Sequence, residues 1–190
     1  MGKKIIREPP MIIGLTGPLA AGKGTIVKYL VENYQARQVR FSDPLRDIIH
    51  RLYKDQTREN MSHLATFLRS EFGGNILIDT VLEDIKKMDG SLFVLDGMRH
   101  IDEYRILSER HDFRMWAVDA DMKTRYERII KRGENASDTT LTYDRFQKQH
   151  ELITEVHISE LMAKAHEHID NNGSFEDLYA QVEVLMKKLK

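Results

Sequence analysis

The sequence predicts a three-layer α/β/α protein in which a parallel sheet of five strands lies between two layers of helices. Short apolar runs bounded by Gly, Asp or Asn alternate with longer segments of helical period, which is the pattern of successive βα units. The run Leu92–Leu95 is entirely apolar, as expected for a strand that is buried on both faces. A glycine-bounded loop joins the first predicted strand to the first predicted helix. Together these observations favour a doubly wound arrangement.

The individual elements follow from this alternation. Strands are expected near Met11–Leu15, Gln38–Phe41, Leu92–Leu95, Met115–Val118 and His168–Asp170. Helices are expected at about Lys23–Asn33, Pro44–Lys54, Glu59–Glu71, Ile76–Lys87, Glu103–Glu109, Met122–Lys131, Tyr143–Ala165 and Phe175–Leu189. The sequence shows no internal repeat, and Gly133–Thr142 is its one sizeable polar loop.

Composition limits both the architecture and the kind of ligand. The 190 residues, 41% of them hydrophobic, suffice for one sizeable core, so residues 1–190 are expected to form a single domain. Lys and Arg (29) nearly balance Asp and Glu (30), and this argues against a field that would hold nucleic acid or an anionic membrane. The absence of cysteine excludes disulfides, thiolate metal sites and cysteine nucleophiles.

Location and metal content are inferred from short patterns. The apolar stretch Met11–Leu15 is too short for a signal sequence or a membrane span, so we expect a soluble cytoplasmic protein. The eight histidines include no H-E-x-x-H spacing, and we expect no structural metal from them. A monomer and a homodimer are both compatible with the sequence.

The loop after the first strand carries the most specific motif of the chain. Its residues match G-x-x-x-x-G-K, the core of the phosphate-binding P-loop, between a strand and a helix as that motif requires. Small residues let successive backbone N–H groups approach a polyphosphate, and Lys23 is placed to neutralise its β and γ oxygens in catalysis. An ordinary glycine-rich turn is the alternative. The predicted ATP-binding residues here are Gly17, Pro18, Leu19, Ala20, Ala21, Gly22, Lys23, Gly24 and Thr25.

One departure from the common motif carries a family resemblance. Gly24 stands where Ser or Thr is usual, and Thr25 follows it. Gly-Lys-Gly-Thr at this place resembles the adenylate kinase group of nucleoside monophosphate kinases. The resemblance implies a P-loop NTPase fold with an acceptor-binding helical insertion and a lid, with ATP as donor. It also implies Mg²⁺ held largely through water, near Thr25, and it weighs against GTPases and motor ATPases.

The acceptor is expected to bind beyond the second strand, in a helical region of about residues 42–88. Ser42 or Asp43 can cap the following helix, and a well-capped helix is the alternative explanation of both. The resemblance implies that this loop meets the acceptor and that Arg46 clamps its phosphate. A planar guanidinium suits that role. Ser-Asp-Pro-Leu-Arg is also similar to the deoxynucleoside monophosphate kinases of phage type.

A second group of charged residues surrounds the third strand. Four apolar residues ending in Asp96-Gly97 place a carboxylate at the carboxyl end of a buried strand, beside the P-loop in this topology. Asp96 can then orient Mg²⁺ through water, and Arg99 can face the transferring phosphoryl group. Adenylate kinases have one residue more between this Asp and their Arg, so the equivalence of Arg99 stays open. Arg69 is a further acceptor-binding candidate, with a solvated helix face as the alternative.

The lid is expected at about residues 122–150. Arg125, Arg128 and Arg132 recur at i+3 and i+4 and share one face of a helix that leads into Gly133–Thr142. A solvated basic face is the alternative. The resemblance implies that Arg128 and Arg132 close over ATP and act in catalysis, and that Arg145 returns from the far side of the lid toward the acceptor.

The last strand is followed by the turn Asn171-Asn172-Gly173-Ser174. In related kinases, dephospho-CoA kinases among them, a similar turn borders the adenine. The resemblance therefore implies that Asn172 and Gly173 bind ATP. A helix cap alone explains Ser174.

The leading hypothesis is an enzyme, a P-loop kinase that moves the γ-phosphoryl group of ATP to a nucleoside or deoxynucleoside monophosphate. Dephospho-CoA or another phosphorylated metabolite is the nearest alternative acceptor, although Gly24 disfavours dephospho-CoA because those kinases have Ser or Thr after the lysine. An ATP-binding regulatory or assembly switch is the alternative of another class. The pairing of Arg46 with a basic lid-like segment argues against it.

Overall fold

The computed structural model describes residues 9–132, 141–149 and 153–189, in which each strand is followed by one to three helices. The strands are β1 (Met11–Thr16), β2 (Arg37–Arg40), β3 (Leu92–Asp96), β4 (Phe113–Asp119) and β5 (Glu167–Asp170). The helices are α1 (Lys23–Tyr34), α2 (Asp43–Arg51), α3 (Arg58–Phe72), α4 (Ile76–Lys87), α5 (Ile101–Ser108), α6 (Met122–Arg132), α7 (Tyr143–Gln149), α8 (Ile153–Ala163) and α9 (Phe175–Lys188).

The five strands form one sheet in the order β2-β3-β1-β4-β5, and every pair in it is parallel. All carboxyl ends therefore lie along one edge. β1 is central: the chain passes from β1 to β2 at one edge, returns to β3 beside β1, and then crosses β1 to β4 and β5 on the other side. This switch point is where doubly wound sheets leave a crevice for ligands. The predicted three-layer fold with a parallel five-stranded sheet is confirmed.

Each face of the sheet has its own apolar core. One face buries Ile13, Val94 and Trp116 against α1 and α9, and the other buries Ile12, Phe93 and Met115 against α4, α5 and α8. The residues of Leu92–Leu95 are all buried, as predicted for a strand covered on both faces. The central strands, which carry the candidate site at their ends, are thus fixed by packing from both sides.

A third, smaller cluster lies away from the sheet. Leu45 of α2, Ala65 of α3 and Leu77 of α4 pack together, with Leu64 and Leu68 partly buried against them. This cluster joins the three helices that follow β2. The region predicted to hold the acceptor is therefore tied together by a core of few residues.

The predicted elements agree with the structure except at some ends. β4 begins at Phe113, two residues before the predicted start, and α2 ends at Arg51 because Tyr53 takes a left-handed φ of 56° that a helix cannot contain. The single helix predicted over Tyr143–Ala165 corresponds to α7 and α8, and residues 150–152 between them lie outside the described residues. No helix in the described ranges combines the length and apolarity needed to span a membrane.

Candidate active site

The phosphate loop runs from Gly17 to Gly22, between β1 and α1, and close contacts require glycine at both of these positions. At Gly17 (φ 142°) an added β carbon would lie 2.1 Å from the carbonyl oxygen of Val118 in β4. At Gly22 (φ 105°) it would lie 2.0 Å from Nδ2 of Asn171, just after β5. Both positions also have backbone angles that side chains rarely adopt. The path of the loop is therefore set by the neighbouring strands β4 and β5.

Lys23 opens α1, and its ammonium group lies across the loop. Nζ donates to the carbonyl oxygen of Gly17 at 2.6 Å and to that of Pro18 at 3.0 Å. A positive charge is thus placed beside the N-terminus of a helix, where backbone N–H groups and the helix dipole favour phosphate. Gly24, by contrast, is exposed, and an added β carbon there would meet nothing within 4 Å. Packing therefore does not explain why Gly stands here instead of the usual Ser or Thr.

The loop forms one wall of a cavity of about 550 Å³ at the carboxyl edge of the sheet. The other walls come from the ends of β3 and β5 and from α6. The residues that line it are Leu19, Ala20, Gly22, Lys23, Gly24, Thr25, Asp96, Arg99, Arg128, Arg132, Asn171 and Phe175. All four residues proposed as catalytic from the sequence, Lys23, Asp96, Arg128 and Arg132, are among them.

Asp96 ends β3 on the side of the cavity away from α6. Its Oδ2 accepts from Nε2 of Gln38 at 3.2 Å and lies 3.9 Å from Nε of Arg40, so two residues of β2 hold the carboxylate. Thr25 lines the same cavity and brings a hydroxyl oxygen. Carboxylate and hydroxyl oxygens are donors that suit Mg²⁺, and the cavity has room for its water shell. These two residues fit the predicted magnesium site.

The three arginines of α6 have different surroundings. Arg125 is 6% exposed; its Nε donates to Ala120 O at 2.8 Å and its Nη1 to Leu19 O at 3.4 Å, so it supports the phosphate loop from behind. Arg128 lines the cavity, and its Nη2 donates to Asn171 O at 2.8 Å. Its Nη1 is buried and has no hydrogen-bond partner among the described residues. Arg132 lines the cavity from an exposed position.

Asn171 is a site residue that the sequence analysis did not identify. It is 5% exposed, its Nδ2 donates to Ala21 O of the loop at 2.7 Å, and its own carbonyl accepts from Arg128. It therefore links the loop to α6. The sequence of the phosphate loop gives no signal of this contact, because the contact depends on where β5 pairs with β4.

The neighbouring turn residues make contacts within the turn. Asn172 accepts from the backbone N–H of Asp121 at 2.8 Å and donates to Asp170 at 2.6 Å, so its amide closes the turn. Neither Asn172 nor Gly173 is among the described residues that line the cavity. Ser174 caps α9, as predicted, with Asp177 completing a capping box. Phe175, which the sequence analysis did not single out, lines the cavity and is 63% exposed, so an apolar ring is available at this end.

The predicted acceptor residues of α2 lie outside the lining of the cavity. Ser42 occupies the N-cap position without a side-chain cap, and Asp43 accepts from the backbone N–H of Arg40 at 3.0 Å. Arg46 donates through Nη1 to Oε1 of Gln56 at 3.1 Å. The guanidinium is thus held toward the segment between α2 and α3.

Arg69 and Arg99 meet at one carboxylate. Arg99 follows β3 and lines the cavity, and its backbone N–H donates to Oε2 of Glu103 at 3.3 Å. Nη2 of Arg69, on α3, donates to Oε1 of the same residue at 3.3 Å. Burial raises the pKa of Glu103 to about 7, against the lowering effect of these donors. Glu103 was also absent from the residues proposed from the sequence.

The structure describes only part of the predicted lid beyond α6. Arg145 is exposed on α7, and the described lining does not include it. Residues 133–140, most of the predicted lid loop, lie outside the described residues. α7 nevertheless packs onto α6, because Phe146 is fully buried with the Arg125 guanidinium 5.7 Å above its ring.

Comparison with known proteins places this arrangement in context. A family model described as an AAA domain matches residues 16–147. A UPF0200 protein of Methanothermobacter thermautotrophicus is 28% identical over 180 residues, which are 94% of this chain and 90% of the relative. Another, from Sulfurisphaera tokodaii, is 28% identical over 178 residues, 94% of this chain and 97% of the relative.

The solved structures that resemble the chain include a shikimate kinase. Shikimate kinase from Bacteroides thetaiotaomicron matches with a TM-score of 0.62 and 14% identity, over 94% of this chain and 98% of that one. The protein TT1252 from Thermus thermophilus matches with a TM-score of 0.59 and 19% identity, over 96% and 100%. At such identities the likeness shows the fold, which is the three-layer P-loop kinase-like fold predicted from the sequence.

Proposed function

The chain belongs to the AAA domain family, and we propose that it is a kinase that transfers the γ-phosphoryl group of ATP to a nucleoside or deoxynucleoside monophosphate. In this reaction an oxygen of the acceptor's phosphate forms a bond to the γ-phosphorus. The bond from that phosphorus to the β–γ bridging oxygen breaks, and ADP leaves with the electron pair. A nucleoside diphosphate is the second product.

One observation carries the proposal: cationic side chains from three separate elements converge on one cavity beside the phosphate loop. Lys23 comes from α1, Arg99 from the segment after β3, and Arg128 and Arg132 from α6. In phosphoryl transfer the negative charge spreads over three equatorial oxygens, so stabilisation from several directions is what the reaction requires. A protein that only bound ATP would need no more than the phosphate loop and Lys23.

The nature of the nucleophile supports a phosphorylated acceptor. Asp96 is the only carboxylate among the described residues that line the cavity, and Gln38 and Arg40 already hold it. A hydroxyl acceptor would need a base to take its proton. A phosphate monoester, with its second pKa near 6, is largely a dianion at neutral pH and attacks without such help. Gln38 and Arg40 both contact Oδ2 of Asp96, so its other carboxylate oxygen is left to serve the metal.

The donor is proposed to lie along the loop, with its triphosphate against the backbone N–H groups and Lys23. Arg128 offers a buried Nη1 without a partner in the described residues, and Phe175 offers an apolar ring at the same end of the cavity. Thr25 and Asp96 would hold a hydrated Mg²⁺, which when bound neutralises charge on the phosphate oxygens. Arg132 would add a second cation from the exposed end of α6.

The acceptor is proposed to lie on the opposite side of the loop, toward α2 and α3. Arg99 marks the near wall of that side, and Arg69 is joined to it through Glu103. Arg46 and the residues Ser42 and Asp43 lie at the start of α2, at the far end of the same region. The helices α2, α3 and α4 share only a small core, which suits a region that closes on its substrate.

A coupled assay of ATP consumption tests the proposal. The purified chain would be given MgATP with each common nucleoside and deoxynucleoside monophosphate, with dephospho-CoA, and with shikimate as an unphosphorylated acceptor. Stimulation by one or more nucleoside monophosphates, absent in Lys23→Met, is the expected result. Stimulation only by dephospho-CoA or shikimate would show that the acceptor is that compound and not a nucleoside monophosphate. Slow ATP hydrolysis whose rate does not change with any acceptor would favour an ATP-dependent switch.

A further inference from the structure

Glu103 is the most deeply buried carboxylate among the described residues, and it lies next to the proposed acceptor side. It is 4% exposed, in the first turn of α5. Oε2 accepts from the backbone N–H groups of Arg99 and His100, each at 3.3 Å, and Oε1 accepts from Nη2 of Arg69 at 3.3 Å. One carboxylate thus joins the segment after β3 to helix α3.

A helix cap alone does not explain this arrangement. Capping requires one carboxylate oxygen near the free N–H groups of the first turn, and an exposed Glu provides it without loss of hydration. Here the whole carboxylate is removed from water, which is costly unless it is paired. The second oxygen accepts a hydrogen bond from Arg69, 34 residues away in the chain.

The pairing leaves most of Arg69 available. A guanidinium has five N–H donors in a planar fork, and among the described residues Arg69 uses one of them, on Glu103. Its side chain is about one quarter exposed. The carboxylate therefore fixes one edge of the fork and leaves other donors for a second anion.

We propose that Glu103 is a positioning residue that holds Arg69 beside the Arg99 segment, so that the two arginines form a binding site for the phosphate dianion of the acceptor. This inference rests on the proposed function and extends it to the residues that choose a phosphorylated substrate. Arg99 lines the cavity wall, and Arg69 of α3 is held to the same segment through Glu103.

The ionisation of Glu103 gives the arrangement a measurable signature. Burial raises its pKa to about 7, so the charge that orients Arg69 is present above that pH and is lost below it. Arg69 on α3 is the charge that acts on Glu103, whose other contacts are the backbone N–H groups of Arg99 and His100; the adjacent Asp102 is exposed and paired with Arg105. His100 keeps exposed surface as a residue, but desolvation of its ring, Arg69 and His157 of α8 lower its pKa to about 4, so it stays neutral while Glu103 titrates.

Sulfate is a suitable probe because it is a dianion whose charge does not change near neutral pH. Its binding would be titrated by thermal shift with the phosphate loop occupied by Mg²⁺ and a non-hydrolysable ATP analogue. The proteins compared would be the wild type, Glu103→Gln, Arg69→Gln and, as a matched control, Glu109→Gln, which changes an exposed carboxylate at the end of the same helix.

The wild type and Glu109→Gln should bind sulfate up to about tenfold more weakly at about pH 6 than at about pH 8, following the fraction of Glu103 that is ionised. Glu103→Gln and Arg69→Gln should bind weakly at both values, without that dependence. Parallel pH profiles in the wild type and Glu103→Gln would overturn the inference and leave Glu103 a structural cap. Should Glu103→Gln fail to fold, the comparison of the wild type with Arg69→Gln, at a partly exposed position, decides the test.

The same variants would be assayed for acceptor-dependent ATP consumption with each monophosphate that stimulates the wild type. The ratio of acceptor KM values, Glu103→Gln over wild type, should be larger at about pH 8 than at about pH 6, and the ratio cancels the titration of the acceptor's own phosphate. A ratio that does not change with pH would contradict the inference. Sulfate binding needs no turnover, so a failed kinase assay would refute the proposed function separately.

Discussion

The proposed donor side and the proposed acceptor side of the candidate site are built in different ways. On the donor side, charged and amide groups bind main-chain carbonyls: Lys23 binds Gly17 and Pro18, Asn171 binds Ala21, and Arg128 binds Asn171. On the acceptor side, arginines are held by other side chains, Arg46 by Gln56 and Arg69 by Glu103. The donor side is thus fixed by the fold, whereas the acceptor side depends on individual polar partners. Substitutions on the two sides should therefore differ in kind as well as in size.

The largest effect is expected at Lys23. Lys23→Met should lower turnover by about 10³-fold or more, because a preorganised cation at the developing phosphoryl charge is lost. Its two hydrogen bonds to loop carbonyls should cost only about 1–2 kcal/mol of unfolding free energy. Steady-state kinetics and chemical denaturation would measure both. Near-normal turnover by the folded variant would contradict the proposal that ATP binds at the phosphate loop for catalysis.

The next largest effect is expected at Arg128 and Arg132 of α6. A charge-assisted contact to phosphate is worth roughly 1.5–3 kcal/mol, so Arg128→Ala and Arg132→Ala should each lower kcat/KM by about tenfold to a hundredfold. Melting should change more for Arg128, which is part-buried and bonded to Asn171, than for exposed Arg132. Lys131→Ala, on the same exposed turn, is the control and should retain activity. Equal rates for all three would leave α6 a solvated basic helix.

The adjacent asparagines offer a sharp test of the donor side. Asn171→Ala leaves the Ala21 carbonyl without its side-chain partner and should cost about 1–3 kcal/mol and raise the KM for ATP. Asn172→Ala removes exposed turn contacts and should cost less than about 1 kcal/mol, with ATP binding little changed. Equilibrium denaturation and ATP titration would separate them. The reverse order would support the expectation from the sequence that Asn172 binds ATP.

The smallest effect is expected on the acceptor side, at Arg46. Arg46→Ala should raise the acceptor's KM by about tenfold, as for one lost contact to phosphate, while the KM for ATP and the melting temperature change little. Arg51→Ala, at the exposed end of the same helix, is the matched control. Loss of ATP affinity with an unchanged acceptor KM would show that the two sides have been assigned the wrong way round.

The same contrast explains what the sequence could predict. The strands, the P-loop and Asp96 follow from local requirements: apolar runs, glycines at fixed spacing and a carboxylate at a strand end. Asn171 could not be distinguished from Asn172, because its contact depends on the pairing of β5 with β4. The Arg69–Glu103 pair also joins distant segments, and neither residue lies in a recognisable motif. Long-range side-chain contacts are therefore what the sequence left undetermined.

The most direct test of the central claim is the identity and stoichiometry of the products. Phosphorus NMR of the wild-type protein with MgATP and the monophosphate that stimulates it most should show one nucleoside diphosphate derived from the acceptor for each ATP converted to ADP, with no matching release of inorganic phosphate. Lys23→Met should show neither product. Conversion of ATP to ADP and inorganic phosphate, with every monophosphate returned unchanged, would contradict the assignment of the cavity to phosphoryl transfer between nucleotides.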